Sequence, residues 1–224
     1  MRFLLDTANL ENIRYCYEYY PISGVTTNPT IIAKERQPIM PLLKEIRQII
    51  GEERALHVQV IAQKAEDILQ EARFLLDQLS GRLYVKIPAT EEGIKAIKWL
   101  TKEGIPTTAT AIFTAQQAHL AALAGASYVA PYVNRIDNLT GNGTGVVEEI
   151  VRIFNTFTLG TQVLAASFKN VEQVHQCCLA GAHEVTVDPA ILKSLISHPA
   201  VGLSVKQFAD DWQAAFGVDR LQTD

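Results

Sequence analysis

Lys86 stands near the end of Leu83-Tyr84-Val85-Lys86-Ile87-Pro88, a run whose other residues read as a buried strand. Lysine is rarely buried without a purpose. In such surroundings the charged amine loses hydration and its pKa falls. The neutral form is then available to attack a carbonyl and form a Schiff base. The competing reading is an edge strand from which Lys86 reaches water along its methylene stem. Other polar residues weigh toward the first reading: Asp6, Thr26, Asn28, Gln59, Thr110, Tyr132, Arg135, Ser167 and Lys169 all fall at or just past the ends of further apolar runs.

The chemistry that this set supports is specific. An imine-forming lysine needs a neighbour that moves protons while water is lost, and the Asp6 carboxylate is suited to that; its alternative duty is to cap the following helix. Asn28 and Ser167 offer neutral hydrogen bonds of the kind that orient the hydroxyls of a polyol. Arg135, Ser167 and Lys169 supply two cations and a hydroxyl, a set matched to a terminal phosphate, unless Arg135 merely pairs with Asp137. The segment Gly141-Asn142-Gly143-Thr144-Gly145 lacks the lysine and spacing of a nucleotide loop and is expected to be a flexible loop. His57, His119, His175, His183 and His198 form no i, i+4 pair and no cluster with acids at ligand spacing. No metal is expected, and His57 is expected to be a hydrogen-bonded core residue. Neither a GxSxG elbow nor a dinucleotide fingerprint occurs, and no cofactor is expected.

Positioning such a set requires a scaffold that brings many strand ends together. Short apolar runs alternate with amphipathic stretches along the whole chain, the pattern of βα units in a parallel sheet. Strands are expected at 3–6, 22–26, 56–60, 83–87, 107–112, 128–132, 162–166 and 184–187. Helices are expected at 11–19, 38–50, 65–78, 91–101, 115–124, 145–157, 171–179 and 189–196. Gly51, Gly81, Gly104, Gly125 and Gly181 sit at or just beyond the ends of these helices, as C-terminal caps do. Eight units imply an α/β fold closed as a (β/α)8 TIM barrel, in which catalytic groups gather at the C-terminal ends of the strands. A period of two along each strand brings the polar residues to that end from seven of the eight strands. A further amphipathic segment at 205–216 carries Phe208, Trp212 and Phe216 at i, i+4, i+8. The expected organisation is a catalytic barrel over 1–201 and a C-terminal helical extension over 202–224, which packs on the barrel's own helices or on a neighbouring subunit.

Composition narrows the class. With 224 residues, 48% of them hydrophobic, the chain has material for one large core. A net charge of −4 without a basic run argues against nucleic acid or an anionic membrane as the main partner. The N-terminal apolar stretch is too short and too soon acidic for a signal peptide. No stretch has the length of a membrane span, so a cytoplasmic location is expected. Cys16, Cys177 and Cys178 form no CxxC pair or disulfide framework and are expected to be packed thiols.

Four segments carry a family signature. Gly24-Val25-Thr26-Thr27-Asn28-Pro29-Thr30, Val85-Lys86-Ile87-Pro88, Ala130-Pro131-Tyr132-Val133-Asn134-Arg135-Ile136-Asp137 and Ala165-Ala166-Ser167-Phe168-Lys169 resemble, in order, the motifs of the small transaldolase-like family of class I aldolases. The resemblance runs over nearly the whole chain and includes a short C-terminal helix. Within the family the chain is more similar to the fructose 6-phosphate aldolase branch than to transaldolases proper, because Gln59 and Tyr132 stand where transaldolases typically have glutamate and phenylalanine. The resemblance implies that Lys86 is the Schiff-base nucleophile and Asp6 a substrate-binding and proton-transfer residue. It implies that Gln59, Thr110 and Tyr132 hold a water for proton transfer, and that Thr26, Asn28, Arg135, Ser167 and Lys169 bind substrate, Lys169 where larger transaldolases have a second phosphate-binding cation. The implied reaction is reversible cleavage of fructose 6-phosphate to dihydroxyacetone and glyceraldehyde 3-phosphate. The alternative is transfer of the dihydroxyacetone unit to an aldose phosphate, as in the pentose phosphate pathway. The partners implied are sugar phosphates and further copies of the chain in a homodecamer, the C-terminal helix reaching a neighbour.

Assembly through that helix is testable. Deleting the residues after Gly202 is expected to lower the assembled mass or the solubility while the barrel persists. An unchanged sedimentation profile would assign the helix to its own subunit.

Overall fold

The computed structural model describes residues 1–221, Thr140 by its backbone alone. Eight strands run parallel and in sequence order: β1 (Arg2–Asp6), β2 (Ile22–Thr26), β3 (Ala55–Gln59), β4 (Leu83–Pro88), β5 (Thr107–Ile112), β6 (Tyr128–Pro131), β7 (Gln162–Ala165) and β8 (Glu184–Val187). Each pairs with the next, and β8 pairs with β1, so the sheet closes into a barrel. Around it lie α1 (Leu10–Tyr19), α2 (Pro29–Lys34), α3 (Ile39–Ile50), α4 (Ala65–Gln78), α5 (Glu91–Lys102), α6 (Ala115–Leu123), α7 (Val133–Thr140), α8 (Gly143–Thr156) and α9 (Val171–Leu179). The fold is the (β/α)8 barrel.

The chain divides into two compact units, Met1–Ile191 and Leu192–Asp224. The first holds the barrel and ends within α10 (Pro189–Ser194). The second is built on α11 (Pro199–Phe216), eighteen residues with Pro199 at its start and Gly217 as a left-handed cap. It begins six residues before the expected 205 and is not a short helix. Val201, Leu203, Val205, Phe208 and Phe216 are exposed on it, and the Trp212 and Phe216 rings lie 4.3 Å apart. Residues 222–224 of the expected extension lie outside the described residues. No described helix is long and apolar enough to cross a membrane.

Two packing layers hold the barrel. The helices turn apolar stripes inward: Leu42, Leu43, Ile46 and Ile50 on α3, Ile68, Ala72 and Leu75 on α4, Ala96, Ile97 and Leu100 on α5. This spacing of three and four residues is what one face of a helix requires. Inside the barrel, His57, Tyr84 and Tyr128 form an aromatic floor. The His57 ring stacks on Tyr84 at 4.7 Å, and Tyr128 meets both rings edge-on at 5.3 and 5.0 Å. His57 Nδ1 lies 2.8 Å from Thr108 Oγ1, the hydrogen-bonded core role expected of it. Nearer the N-terminal end of the strands, buried Glu184 pairs with Arg2 and accepts from the Tyr128 hydroxyl at 3.2 Å.

Three local features differ from the sequence expectation. α2 and α7 occupy segments with too few turns to show a periodicity. The glycine-rich segment is a helix junction, not a flexible loop. Gly141 ends α7 at a φ of 78°, a left-handed conformation cheap only for glycine, and Asn142 caps α8 by accepting from Gly145 N at 3.0 Å. β6 stops at Pro131, and Tyr132 leads into α7 while still bridging to Ala166.

Gly93, in the first turn of α5, lets this helix approach the end of the strand that carries Lys86. A side chain there would run into the Pro88 carbonyl and touch Ile87. Gly93→Ala is expected to force that backbone apart at a cost of about 2 kcal/mol, beyond the roughly 1 kcal/mol that alanine gains in helix propensity. Thermal denaturation should show Tm lower by roughly 4–8 °C. An unchanged Tm would mean that the strand end yields freely.

Candidate active site

Lys86 lies on the inner face of β4, in register with Gln59 on β3 and Thr108 on β5, and is 5% exposed. A strand between two paired neighbours offers no edge from which its stem reaches water. The amine instead donates to the Thr27 carbonyl at 2.7 Å. Burial pulls its pKa below the ordinary lysine value, against the opposing pull of the Asp6 carboxylate. Thr27, the first residue past β2, carries this contact through its backbone, which no side-chain pattern announces.

Asp6 ends β1 beside Thr26 in the β1–β2 register. It caps no helix: Asn9 does that for α1, accepting from Asn12 N at 3.0 Å. Thr26 Oγ1 donates to Asp6 Oδ1 at 2.7 Å and lies 2.7 Å from Thr186 Oγ1 on β8. Removal from water raises the pKa of Asp6. The charges of Lys86 and Arg135 and the Thr26 hydrogen bond lower it, and the Asp188 carboxylate raises it. Thr186 and Asp188 were absent from the expected set, although a period of two along Glu184-Val185-Thr186-Val187-Asp188 points both of them inward.

Thr110 and Tyr132 come together across β5 and the end of β6, the Thr110 hydroxyl donating to the Tyr132 hydroxyl at 3.0 Å. A bulge aims Thr110: the β5–β6 register shifts between Ala109 and Ile112, and Ala111 takes a left-handed φ of 55°. Gln59 makes no direct bond to this pair. Its Oε1 is buried without a partner, and Gln59 also lines a cavity of about 500 Å³ with Pro29, Val60, Ile61, Ile68 and Pro88.

Arg135 sits in the first turn of α7, with its guanidinium 4.7 Å from the centre of the Tyr132 ring. It forms no ion pair with Asp137, which accepts from Gly143 N at 2.6 Å and from Gln173 Nε2 at 2.7 Å. Asn134 N donates to the Ser167 carbonyl at 2.8 Å, so the strand-end loops carrying Arg135 and Ser167 are tied together. Ser167 itself has a φ of 64°, a strained conformation for a residue with a side chain. Lys169 is exposed on the same loop, and its N–H donates to Gln173 Oε1 at 2.8 Å. Asn28 caps α2 by accepting from Ile31 N at 3.0 Å, which leaves its Nδ2 amino group as the part to offer a ligand. Among the described residues no group of three His, Cys, Asp or Glu side chains is placed to hold a metal.

The arrangement is a buried amine and a carboxylate coupled by charge, a hydroxyl pair from Thr110 and Tyr132, and a cation that lies against the ring of that same tyrosine. A family model described as "Transaldolase/Fructose-6-phosphate aldolase" matches residues 3–220. A curated protein named "Probable transaldolase" from Thermoanaerobacter sp. (strain X514) is 42% identical over 215 residues, 96% of this chain and 98% of that protein. Among solved structures, a flavocytochrome b2 double variant with sulfite bound superposes with a TM-score of 0.61 at 12% identity, over 84% of this chain and 56% of that one, a likeness of fold alone.

The charge coupling has a testable sign. Since the Asp6 carboxylate raises the pKa of Lys86, Asp6→Asn is expected to lower it further. With lysine labelled at 13Cε, the Lys86 resonance should titrate below the ordinary lysine range and its midpoint should move to lower pH in the variant. A midpoint that stayed put would show that the two groups are not coupled.

Proposed function

This chain belongs to the transaldolase/fructose-6-phosphate aldolase family, and on that footing we propose that it breaks and forms the C3–C4 bond of ketose phosphates through an imine on Lys86. The observation that carries the reading is a buried amine in the barrel interior whose pKa burial lowers, coupled to the Asp6 carboxylate. The neutral amine attacks the C2 carbonyl, and loss of water from the carbinolamine leaves an iminium. Asp6 takes the proton of the C4 hydroxyl as the C3–C4 bond breaks. The bonding pair flows into the iminium, giving an enamine on Lys86 and a free aldehyde. Arg135, with Ser167 and Lys169, holds the phosphate of that aldehyde, while Thr26 and Asn28 orient the sugar hydroxyls.

The enamine then has two fates. Protonation at carbon followed by hydrolysis releases dihydroxyacetone, which makes the enzyme a fructose 6-phosphate aldolase. Attack on a second aldehyde makes it a transaldolase. The Thr110–Tyr132 hydroxyl pair and the unpartnered Gln59 Oε1 are three polar groups able to hold the protonating water, and they support release. The relative named a probable transaldolase supports transfer as the second reading.

Borohydride added with a donor ketone is expected to inactivate the enzyme and leave its adduct on Lys86 by peptide mapping. Tyr132→Phe should then lower release of dihydroxyacetone from fructose 6-phosphate by roughly 10²-fold, the scale of a lost acid–base contribution, while sparing transfer to erythrose 4-phosphate. An adduct elsewhere would remove the imine. A parallel fall in both activities would remove the role of Tyr132 in choosing between them.

A further inference from the structure

Thr26 and Thr186 are both almost without exposure, at 0% and 1%, and their hydroxyl oxygens are 2.7 Å apart. Thr26 also lies 2.7 Å from Asp6 Oδ1. A threonine hydroxyl has one proton to give and lone pairs to receive. When Asp6 is ionised, Thr26 must donate to it, so the proton between the two threonines comes from Thr186. The chain of donors therefore runs in a single sense, from Thr186 through Thr26 to Asp6. Donation into the Thr26 oxygen polarises its O–H and strengthens the bond onward to the carboxylate.

We propose that Thr186 is a positioning residue for the reaction at Lys86. Its hydroxyl holds Thr26, and through it the Asp6 carboxylate, with Oδ1 engaged and Oδ2 left for proton transfer. This role rests on the Schiff-base reading above. β8 thus joins the reaction although it contributes nothing to the set read from sequence. The charged groups that act on Asp6 are Lys86 from β4, Arg135 from α7 and Asp188 just past β8. Thr26 and Thr186 are the neutral members of this surrounding, so their loss changes hydrogen bonding without changing charge.

Thr186→Val keeps the shape and removes the hydroxyl, while Thr186→Ser keeps the hydroxyl. The valine variant is expected to lower kcat by about three- to tenfold, the scale of one lost hydrogen bond, with little change in KM for the ketose phosphate. Weaker donation to the carboxylate makes Asp6 easier to protonate, and cleavage needs it ionised, so the acid limb of kcat/KM should move to higher pH. The serine variant should restore both values. In a Thr26→Val background, Thr186→Val should add no further loss, because the path to Asp6 is already cut. Should the valine variant fail to fold, Thr186→Ala enters the same comparison. Borohydride capture on Lys86 in the unaltered protein tests the underlying reaction separately, and its absence overturns that reaction and this role with it. Capture together with an unshifted acid limb, or additive losses in the double variant, overturns the role of Thr186 alone.

Discussion

The burial of one amine inside a closed barrel is the constraint on which the rest of the site depends. Transfer of a charged ammonium into protein is costly enough that such a group shifts its pKa or acquires partners. Lys86 does both. The Thr27 carbonyl accepts its hydrogen bond at 2.7 Å, Asp6 supplies an opposing charge, and its pKa falls because water is kept away. Barrel closure removes the alternative, since a paired strand has no edge from which the side chain escapes to solvent.

The surroundings of Lys86 divide by height along the barrel. Beneath it the aromatic floor of His57, Tyr84 and Tyr128 excludes water, and burial together with the nearby Lys86 charge depresses the pKa of His57, which favours the neutral ring. Farther down, Glu184 and Arg2 compensate one another. Above the floor the balance is finer. Asp6 feels Lys86 and Arg135 on one side and Asp188 on the other, so its proton affinity is set by strand ends that are far apart in sequence. Perturbation of this kind, by burial and by charges from several strands, is what the proposed proton-transfer role of Asp6 draws on.

Backbone devices at the strand ends aim the remaining groups. The left-handed Ala111 inserts a bulge that turns Thr110 toward Tyr132, and the left-handed Ser167 turns the β7 loop beside α7. The short helices α2 and α7 begin immediately after strand ends and so place Asn28 and Arg135 at the mouth. Strain of this kind survives only where neighbours over-determine it. Here the Asn134–Ser167 backbone bond and the Gln173 bridge to Asp137 provide that support.

The alternation of apolar runs and amphipathic stretches was enough to determine eight βα units, and the period of two placed Lys86, Asp6, Gln59 and Thr110 on inner faces. Side-chain periodicity encodes which face a residue takes, and nothing more is needed for those assignments. Helices as short as α2 and α7 complete too few turns to carry a periodic signal, so the Asn28-Pro29 cap and the Gly141-Asn142 junction are isolated cues that turns and loops also use. The folded chain alone decided that a main-chain carbonyl accepts a hydrogen bond from Lys86, that Thr186 stands behind Thr26, and that Asp137 is committed to Gly143 and Gln173 and leaves Arg135 unpaired with it. Each of these depends on the distance between groups up to 160 residues apart, a quantity set by barrel register and closure and invisible to any local window of sequence.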